Sequence, residues 1–443
     1  MVDVDARTDA KHVIIVGGGF AGLACASRLA AHGNIKITLI DKNNYQQFQP
    51  LLYQVAASIL SPSNAAFALR DLFRNHENVD VHMDEVAFVD LRKRTVRTAA
   101  GKTFNGDFLV LATGSKVNFY DVPGAEQNTF PLYSLVDAER LRSIILETFE
   151  ARDGNPASQN DGLLNFVVVG GGPTGVEMAG TLGDMSSRML QKEFRHLRNI
   201  RAQVWLIERG SSVLKIFSPA SRNYALSALR EHGVRVVPGT AVTKVAPDRV
   251  TLSDGSEILT RTVVWAAGLK AESIAANPIL PLLPNGRVVV QKDLSVPGFD
   301  CVFVAGDLAN AYDVQGNVLP QLAAVAQQAG RSCADNIVAQ IDGKPSHPFV
   351  YSDRGILAMI GRNAAVAELG QAHHELAGPM AFFAWLGIHA ALLTTARAKL
   401  EAIIEWAWEY FLGEHAGQII HPLEGDWRNL PIGNSHVATS AGQ

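Results

Sequence analysis

Val13-Ile-Ile-Val-Gly-Gly-Gly-Phe-Ala-Gly22 decides the fold, because its glycines return 153 residues later in Val167-Val-Val-Gly-Gly-Gly-Pro-Thr-Gly175. Each copy opens with a short, unbroken apolar run, as for a strand buried on both faces. It continues through G-x-G-x-x-G and passes into a small-residue helical pattern. In such a strand-turn-helix unit Gly17 and Gly170 permit the tight turn. Gly19 and Gly172 let the backbone approach a pyrophosphate, and Gly22 and Gly175 let the helix sit close on the strand. The helix N-terminus then faces the anion. The expected fold is α/β, with two Rossmann-like dinucleotide-binding domains.

An acidic residue is expected where the next strand ends, accepting hydrogen bonds from the adenosine ribose hydroxyls. Lys36-Ile-Thr-Leu-Ile-Asp41 ends at Asp41, 24 residues after Gly17, and Gln203-Val-Trp-Leu-Ile-Glu208 ends at Glu208, 38 residues after Gly170. The longer spacing reflects the polar segment 186–199, which reads as an extended crossover helix. One G-x-G-x-x-G alone could be a structural glycine turn. Two copies, each with a buried strand before it and an acid after it, indicate nucleotide binding at both. Two bound dinucleotides imply electron transfer between them.

The remaining composition sets limits. At 443 residues the chain exceeds one core, so two or three domains are expected. With 39 basic and 43 acidic residues, and no long block of one sign, nucleic acid is not an expected partner. Cys25, Cys301 and Cys333 are far apart with no CxxC, which suggests no disulfide framework and no metal site. Buried, inert thiols in a reducing compartment fit. The start Met1-Val-Asp-Val-Asp-Ala-Arg7 lacks the basic and apolar regions of a signal peptide, so a cytoplasmic location is expected. The longest apolar stretch, 379–395, is 17 residues, interrupted by Gly387 and His389, and short of the ~20 that span a bilayer. The mean hydropathy of +0.08 is nevertheless high for a fully soluble chain.

Asp107-Phe-Leu-Val-Leu-Ala-Thr-Gly114 and Thr262-Val-Val-Trp-Ala-Ala-Gly268 read as strands that close the two nucleotide units. Cys301-Val-Phe-Val-Ala-Gly-Asp307 places a carboxylate at a strand end just before a helix, where it could hydrogen-bond a flavin ribityl chain or cap that helix. The paired loops, the Ala112-Thr-Gly114 turn and the Ala305-Gly-Asp307 turn resemble the two-dinucleotide flavoprotein disulfide-reductase superfamily over roughly residues 11–345. The resemblance implies FAD in the first unit and NAD(P)H in the second, the second domain being inserted in the first. FAD contacts are implied for Gly17, Gly19, Phe20, Ala21, Gly22, Asp41, Lys42, Gln49, Pro50, Ala112, Thr113, Gly114, Gly306 and Asp307. Nicotinamide dinucleotide contacts are implied for Gly170, Gly172, Thr174, Gly175, Glu208 and Gly268. The expected partition is 1–130 and 291–365 for FAD, 131–290 for NADH and 366–443 for a C-terminal helical segment. The disulfide-reductase branch itself is disfavoured, since no redox cysteine pair exists.

Four further segments resemble the type II NADH:quinone oxidoreductases. Phe48-Gln-Pro-Leu-Leu-Tyr-Gln-Val-Ala56 resembles the loop beside the flavin ring, and Gly170-Gly-Gly-Pro-Thr-Gly-Val-Glu177 the NADH-site loop, whose glutamate lies near nicotinamide and quinone. Tyr351-Ser-Asp-Arg-Gly-Ile-Leu-Ala-Met-Ile-Gly361 resembles the stretch after the flavin domain, and Trp385-Leu-Gly-Ile-His389 with the aromatic helix after it the membrane anchor. The resemblance implies NADH stacked on an FAD ring between the domains, hydride passing from nicotinamide C4 to flavin N5, and a quinone acceptor, with no nucleophile or metal. Glu177 and Gln328 are the implied catalytic residues. Glu177 could be an anion stabilised by the helix N-terminus or a proton-relay or substrate-orienting carboxylate. The family pattern AQxxxQ is broken here, because Ala323-Ala324-Val-Ala-Gln-Gln328 has Ala324 at the first glutamine. Glu208 should favour NADH over NADPH, with Arg209 a partial offset.

Between Arg397 and Leu412, Leu400, Ile403, Ile404, Ala407, Trp408 and Phe411 form one helical stripe and Glu401, Glu405 and Glu409 another. With Trp385, Trp406 and Tyr410 nearby, this segment reads as an interfacial anchor on the cytoplasmic side of a membrane. The alternative is a helix pair packed in a core or in a homodimer interface. Rival functions are a soluble NADH-dependent reductase of a protein acceptor and an NADH-sensing flavoprotein module.

Overall fold

The computed structural model describes residues 10–154, 162–197, 200–413 and 417–420. The N-terminal reading at 1–7, the last two residues of the crossover segment and the tail from 421 lie outside these. The chain divides into two compact units: Met1–Gln47, Ala66–Val117 and Leu269–Arg354 form the first, and Phe48–Ala65, Asn118–Gly268 and Gly355–Gln443 the second.

The first unit is built on a six-stranded sheet in the order Ser295–Val296, Phe299–Val304, Phe108–Leu111, Lys11–Val16, Ile35–Asp41, Val79–Met83, parallel except at its first pair. Val13 aligns with Ile37 on one side and Phe108 on the other. The unbroken apolar run follows from burial of both faces. Val13 and Ile15 join the core under the helices Phe20–Ala30 and Ala323–Ile341, whereas Ile14 and Val16 join the opposite core with Val89 and Val96. Each such side chain contributes ~1.5–3 kcal/mol of burial. One expectation is corrected: Asp307 does not stand just before a helix. It lies in a single 3-10 turn, Gly306–Leu308, with no side-chain cap, and the long helix begins only at Ala323.

The second unit carries a five-stranded parallel sheet in the order Phe130–Pro131, Thr262–Trp265, Asn165–Val169, Gln203–Glu208, Val234–Pro238. The longer spacing to its acid is explained by the helix Pro173–Glu193, 21 residues against 11 for Phe20–Ala30, and by a 3-10 turn at Arg195–Leu197. An antiparallel sheet, Gly355–Gly361, Ala364–Leu369 and His374–Ala377, packs on that helix at very short range: a Cβ at Gly180 would stand 1.5 Å from the Ile360 carbonyl oxygen. Two helices follow, Pro379–Leu392 and Ala396–Leu412. Among the described residues no helix is long and apolar enough to cross a membrane.

The Ala396–Leu412 helix starts at Thr395, whose hydroxyl accepts from the Ala398 amide at 3.1 Å, and stops at Gly413 with φ 65°. Its orientation reverses the simple amphipathic pattern. Small Ala398 and Ala402, with Trp406, face inward, while Leu400, Ile403, Ile404, Trp408 and Phe411 are 50–79% exposed. The acidic stripe is half-buried, and Glu405 accepts from the Ser61 amide at 3.1 Å. The apolar stripe is therefore not packed in the chain's own core, which corrects that alternative.

Candidate functional site

The two glycine loops share the same backbone geometry at their outer glycines. Gly17 has φ +103° and Gly170 +110°, and a Cβ there would meet the Ala112 or Ala266 carbonyl oxygen at 2.3 or 2.4 Å. A Cβ at Gly22 or Gly175 would stand 1.8 Å from the carbonyl oxygen of Gly17 or Gly170, so helix and strand need glycine to close. By contrast Gly19 and Gly172 have nothing within 4 Å, and their faces are open to a pyrophosphate. Phe20 and Ala21 begin the first helix, and Thr174 is exposed at the start of the second.

Asp41 and Glu208 share a bond the sequence did not reveal. The Gly18 amide donates to Asp41 Oδ2 at 2.6 Å, and the Gly171 amide donates to Glu208 Oε2 at 2.6 Å. Each acid thus clamps the middle glycine of its own loop. A second amide, from Asn43 at 2.7 Å or from Gly210, engages the other oxygen. A carboxylate accepts about four bonds, so both acids keep capacity for ribose hydroxyls. Burial pushes the Asp41 carboxyl up, opposed by the Gly18 and Asn43 amides and by exposed Lys42. Arg209 lies over the Tyr120 ring at 5.9 Å. A Cβ at Gly268, φ +147°, would stand 2.4 Å from the Tyr120 hydroxyl.

The other flavin-side residues also fit FAD. Asp307 Oδ2 accepts from the Ser115 hydroxyl at 2.7 Å; burial pushes its pKa up, opposed by Ser115 and Arg287. Gly306 (φ 72°) and Gly114 (φ 74°) flank this region in turns, and buried Ala112 is followed by Thr113, whose hydroxyl donates to the Glu272 carbonyl at 2.5 Å. Gln49 and Pro50 lie in the 3-10 turn Gln49–Leu51, where Gln49 Oε1 is buried without a hydrogen-bond partner. An orphaned buried acceptor calls for a donor from outside the chain. Within the first unit the open Gly19 face and the remaining acceptor capacity of Asp41 suit the pyrophosphate and ribose of FAD, and in the second unit the second loop suits a nicotinamide dinucleotide.

Glu177 is the most perturbed carboxyl of the site. It is the fifth residue of its helix, beyond the first turn, and only 7% exposed. Burial pushes its pKa up to about 8, opposed by the Met359 amide, which donates to Oε1 at 3.2 Å, and by Trp385. The Trp385 indole N–H lies close enough to favour the anion but makes no hydrogen bond of normal length. Glu177 thus stands just past the first helical turn, and desolvation, the largest influence on it, favours the acid form.

Around Glu177 stands a network that the sequence reading missed. The Trp406 indole donates to Gln54 Oε1 at 2.6 Å, and Gln54 Nε2 donates to the Tyr53 hydroxyl at 2.8 Å. Trp385 stacks on His389 at 3.8 Å, and burial pushes His389 down to about 4, so it stays neutral. A cavity of about 80 Å³ touches Tyr53, Gln54, Thr181, Met359 and Trp406. A larger, almost wholly apolar groove of about 520 Å³ lies between Pro379–Leu392 and Ala396–Leu412, and Leu386 and Trp406 line both. The usable signal was a spacing: Glu177, Thr181 and Asp184 fall on one face of a helix otherwise made of apolar and small residues there.

Gln328 is differently placed. Its Nε2 donates to the Ser352 carbonyl and its Oε1 accepts from the Ser352 amide, both at 2.9 Å. Glu177, Gln49, Pro50 and the whole dinucleotide set of the second loop fall in the second unit, while Gln328 and the remaining flavin set fall in the first.

Comparison with known proteins agrees with this geometry. A family model described as pyridine nucleotide-disulphide oxidoreductase matches residues 11–330. The chain is 34% identical over 422 residues to a type II NADH:quinone oxidoreductase of Mycobacterium tuberculosis, covering 92% of this chain and 89% of that protein. It is 27% identical over 411 residues to the type II NADH:quinone oxidoreductase of Haemophilus influenzae, covering 86% and 92%. Among solved structures, NDH2 of Plasmodium falciparum in complex with NADH shares the fold with a TM-score of 0.83 at 18% identity, covering 93% of this chain and 100% of that one.

Proposed function

Because the chain belongs to the type II NADH:quinone oxidoreductase family, we propose that it oxidises NADH and reduces a membrane quinone, without coupled proton pumping. FAD, when bound, supplies the hydride-accepting N5 and stores the electron pair between donor and acceptor. In this reading residues 1–130 and 291–365 hold FAD, 131–290 hold NADH, and 366–443 meet the cytoplasmic face of a membrane. Glu208 accepts from the 2′-hydroxyl of NADH and repels a 2′-phosphate. Gln328 contacts the quinone side of the reaction, and Glu177 supplies a proton to a quinone oxygen.

The observation that carries this reading is a buried carboxyl, Glu177, whose pKa desolvation raises, in the same unit as an almost wholly apolar groove that shares lining residues with the adjoining cavity. A quinone is apolar and must gain protons as it gains electrons, so it uses both features. A ferredoxin-like protein acceptor would use neither. The outward apolar face of Ala396–Leu412, with its acids only half-exposed, supports attachment to a lipid surface. A second copy of the chain, forming a homodimer, is the other partner such a face suits.

The test is acceptor-dependent NADH oxidation by the flavin-loaded protein, with its absorbance spectrum to identify FAD. Reduction of a short-chain ubiquinone or menaquinone is expected. Reduction of ferricyanide with no quinone activity would refute the reading, and slow flavin reoxidation by every acceptor would favour a sensing role.

A further inference from the structure

Turnover with a quinone consumes one proton from outside the reacting pair: NADH + H⁺ + quinone gives NAD⁺ + quinol. NADH leaves as NAD⁺ by giving up a hydride and takes up no proton, so the demand falls on the step that forms the quinol. If Glu177 donates there, its carboxylate must be recharged before the next cycle, yet it is 7% exposed. A polar line along its own helix leads away from it. Glu177, Thr181 and Asp184 stand at i, i+4 and i+7 on one face of Pro173–Glu193, separated by Met178, Ala179, Leu182 and glycines. Thr181 is 6% exposed, whereas the Asp184 side chain is 20% exposed and reaches solvent.

Asp184 is held at that mouth by two partners. Its Oδ1 lies 2.6 Å from His232 Nδ1, and its Oδ2 accepts from the Arg362 amide at 2.8 Å. The pair can form because a neighbouring position lacks a side chain: a Cβ at Gly361 would stand 2.7 Å from His232 Nε2. Thr181 and Asp184 both line the cavity of about 80 Å³, large enough for several waters, with the Gln54 amide as a further polar partner. The charged and titratable groups facing this line are His232 at the end of Pro219–Glu231, Arg362 after Gly355–Gly361, Glu409 on Ala396–Leu412, and Tyr53. The Arg362 guanidinium stacks on the Tyr410 ring at 4.5 Å.

We propose that Asp184 and His232, acting through Thr181 and cavity water, form the proton-supply line that recharges Glu177 in each turnover, an inference that rests on the quinone-reducing reading above. Imidazole takes a proton on one nitrogen and releases one from the other, and the paired carboxylate fixes its orientation. Asp184 and His232 are positioning residues here, since they act through Glu177 and not on the quinone.

The test uses full-length, flavin-loaded enzyme carrying Asp184→Asn, His232→Gln or Thr181→Val. Flavin reduction by NADH in stopped flow and steady-state ferricyanide reduction, which form no quinol, should match wild type. With ubiquinone-1, kcat should fall about tenfold, the alkaline limb of the kcat–pH profile should move to lower pH, and added imidazole should restore the His232→Gln rate in proportion to its concentration. Thr181→Val keeps shape and charge, so it decides the matter if Asp184→Asn fails to fold. Wild-type quinone kinetics in His232→Gln and Thr181→Val, or equal losses with both acceptors and no rescue, would overturn the supply line and leave the proposed function standing. A wild-type enzyme that reduces ferricyanide and no quinone would overturn both.

Discussion

Glu177→Gln separates the chemistry of the buried carboxyl from its shape. Holding this group at about 8, against an ordinary 4.5, costs the folded state ~5 kcal/mol once the pH is above both values. The sign follows from proton counts. Between those two values the folded chain keeps a proton that the unfolded chain has lost, so stability falls as pH rises through that window and the term vanishes below about 4.5. Glutamine never ionises and can still accept from the Met359 amide, so the variant lacks this pH-dependent term. Melting curves of the flavin-loaded protein from pH 5 to 9 should therefore start close together and diverge, the variant standing higher by about 5 °C at the alkaline end. In the same samples quinone-dependent kcat should drop roughly 10²-fold, with ferricyanide reduction retained. Parallel melting curves across the pH range would refute the assignment of a desolvated acid, and undiminished quinone turnover would refute its role as donor.

Glu208→Ala should narrow the preference for NADH over NADPH in kcat/KM; an unchanged ratio would show that the acid does not read the ribose. Leu400→Ser, Ile404→Ser and Phe411→Ser together remove about 3 kcal/mol of interfacial burial, so liposome binding should weaken ~10²-fold, measured by co-sedimentation. Binding that stays the same would leave the outward face without a lipid role. Gln328→Ala should raise the quinone KM about fivefold for one lost bond of ~1 kcal/mol, and loss of both Ser352 bonds should also lower Tm. A lower Tm with an unaltered KM would confine Gln328 to fixing Ser352.

Local patterns carried the nucleotide units far. The repeated glycines, the strand ends at Asp41 and Glu208, and the helix from 396 to 412 were all legible, because each rests on short-range periodicity. What escaped depends on pairings that no local pattern encodes. The Trp406–Gln54 bond joins residues 352 apart, and Glu405 meets Ser61 across 344. Periodicity also reveals a stripe but not its direction. Ala398 and Ala402 let one face of the last helix approach the body closely, and that steric fact turned the apolar stripe outward. Asp307 was placed correctly at a strand end, while the supposed helix after it proved a single turn. The role of Asp41 and Glu208 as clamps on Gly18 and Gly171 needed coordinates, since spacing alone cannot say which amide a carboxylate will meet.

Cys25, on the Phe20–Ala30 helix, and Cys333, on the Ala323–Ile341 helix, are wholly buried in the core these helices share, and burial favours the protonated form of both thiols. Alkylating reagents reach these sulfurs only when that layer opens, whereas half-buried Cys301 stands nearer the surface. With Cys301 replaced by serine, the chain carries an internal clock: the rate at which its last two thiols are labelled times the opening of the first nucleotide-binding core, and a ligand seated there slows the clock by mass action.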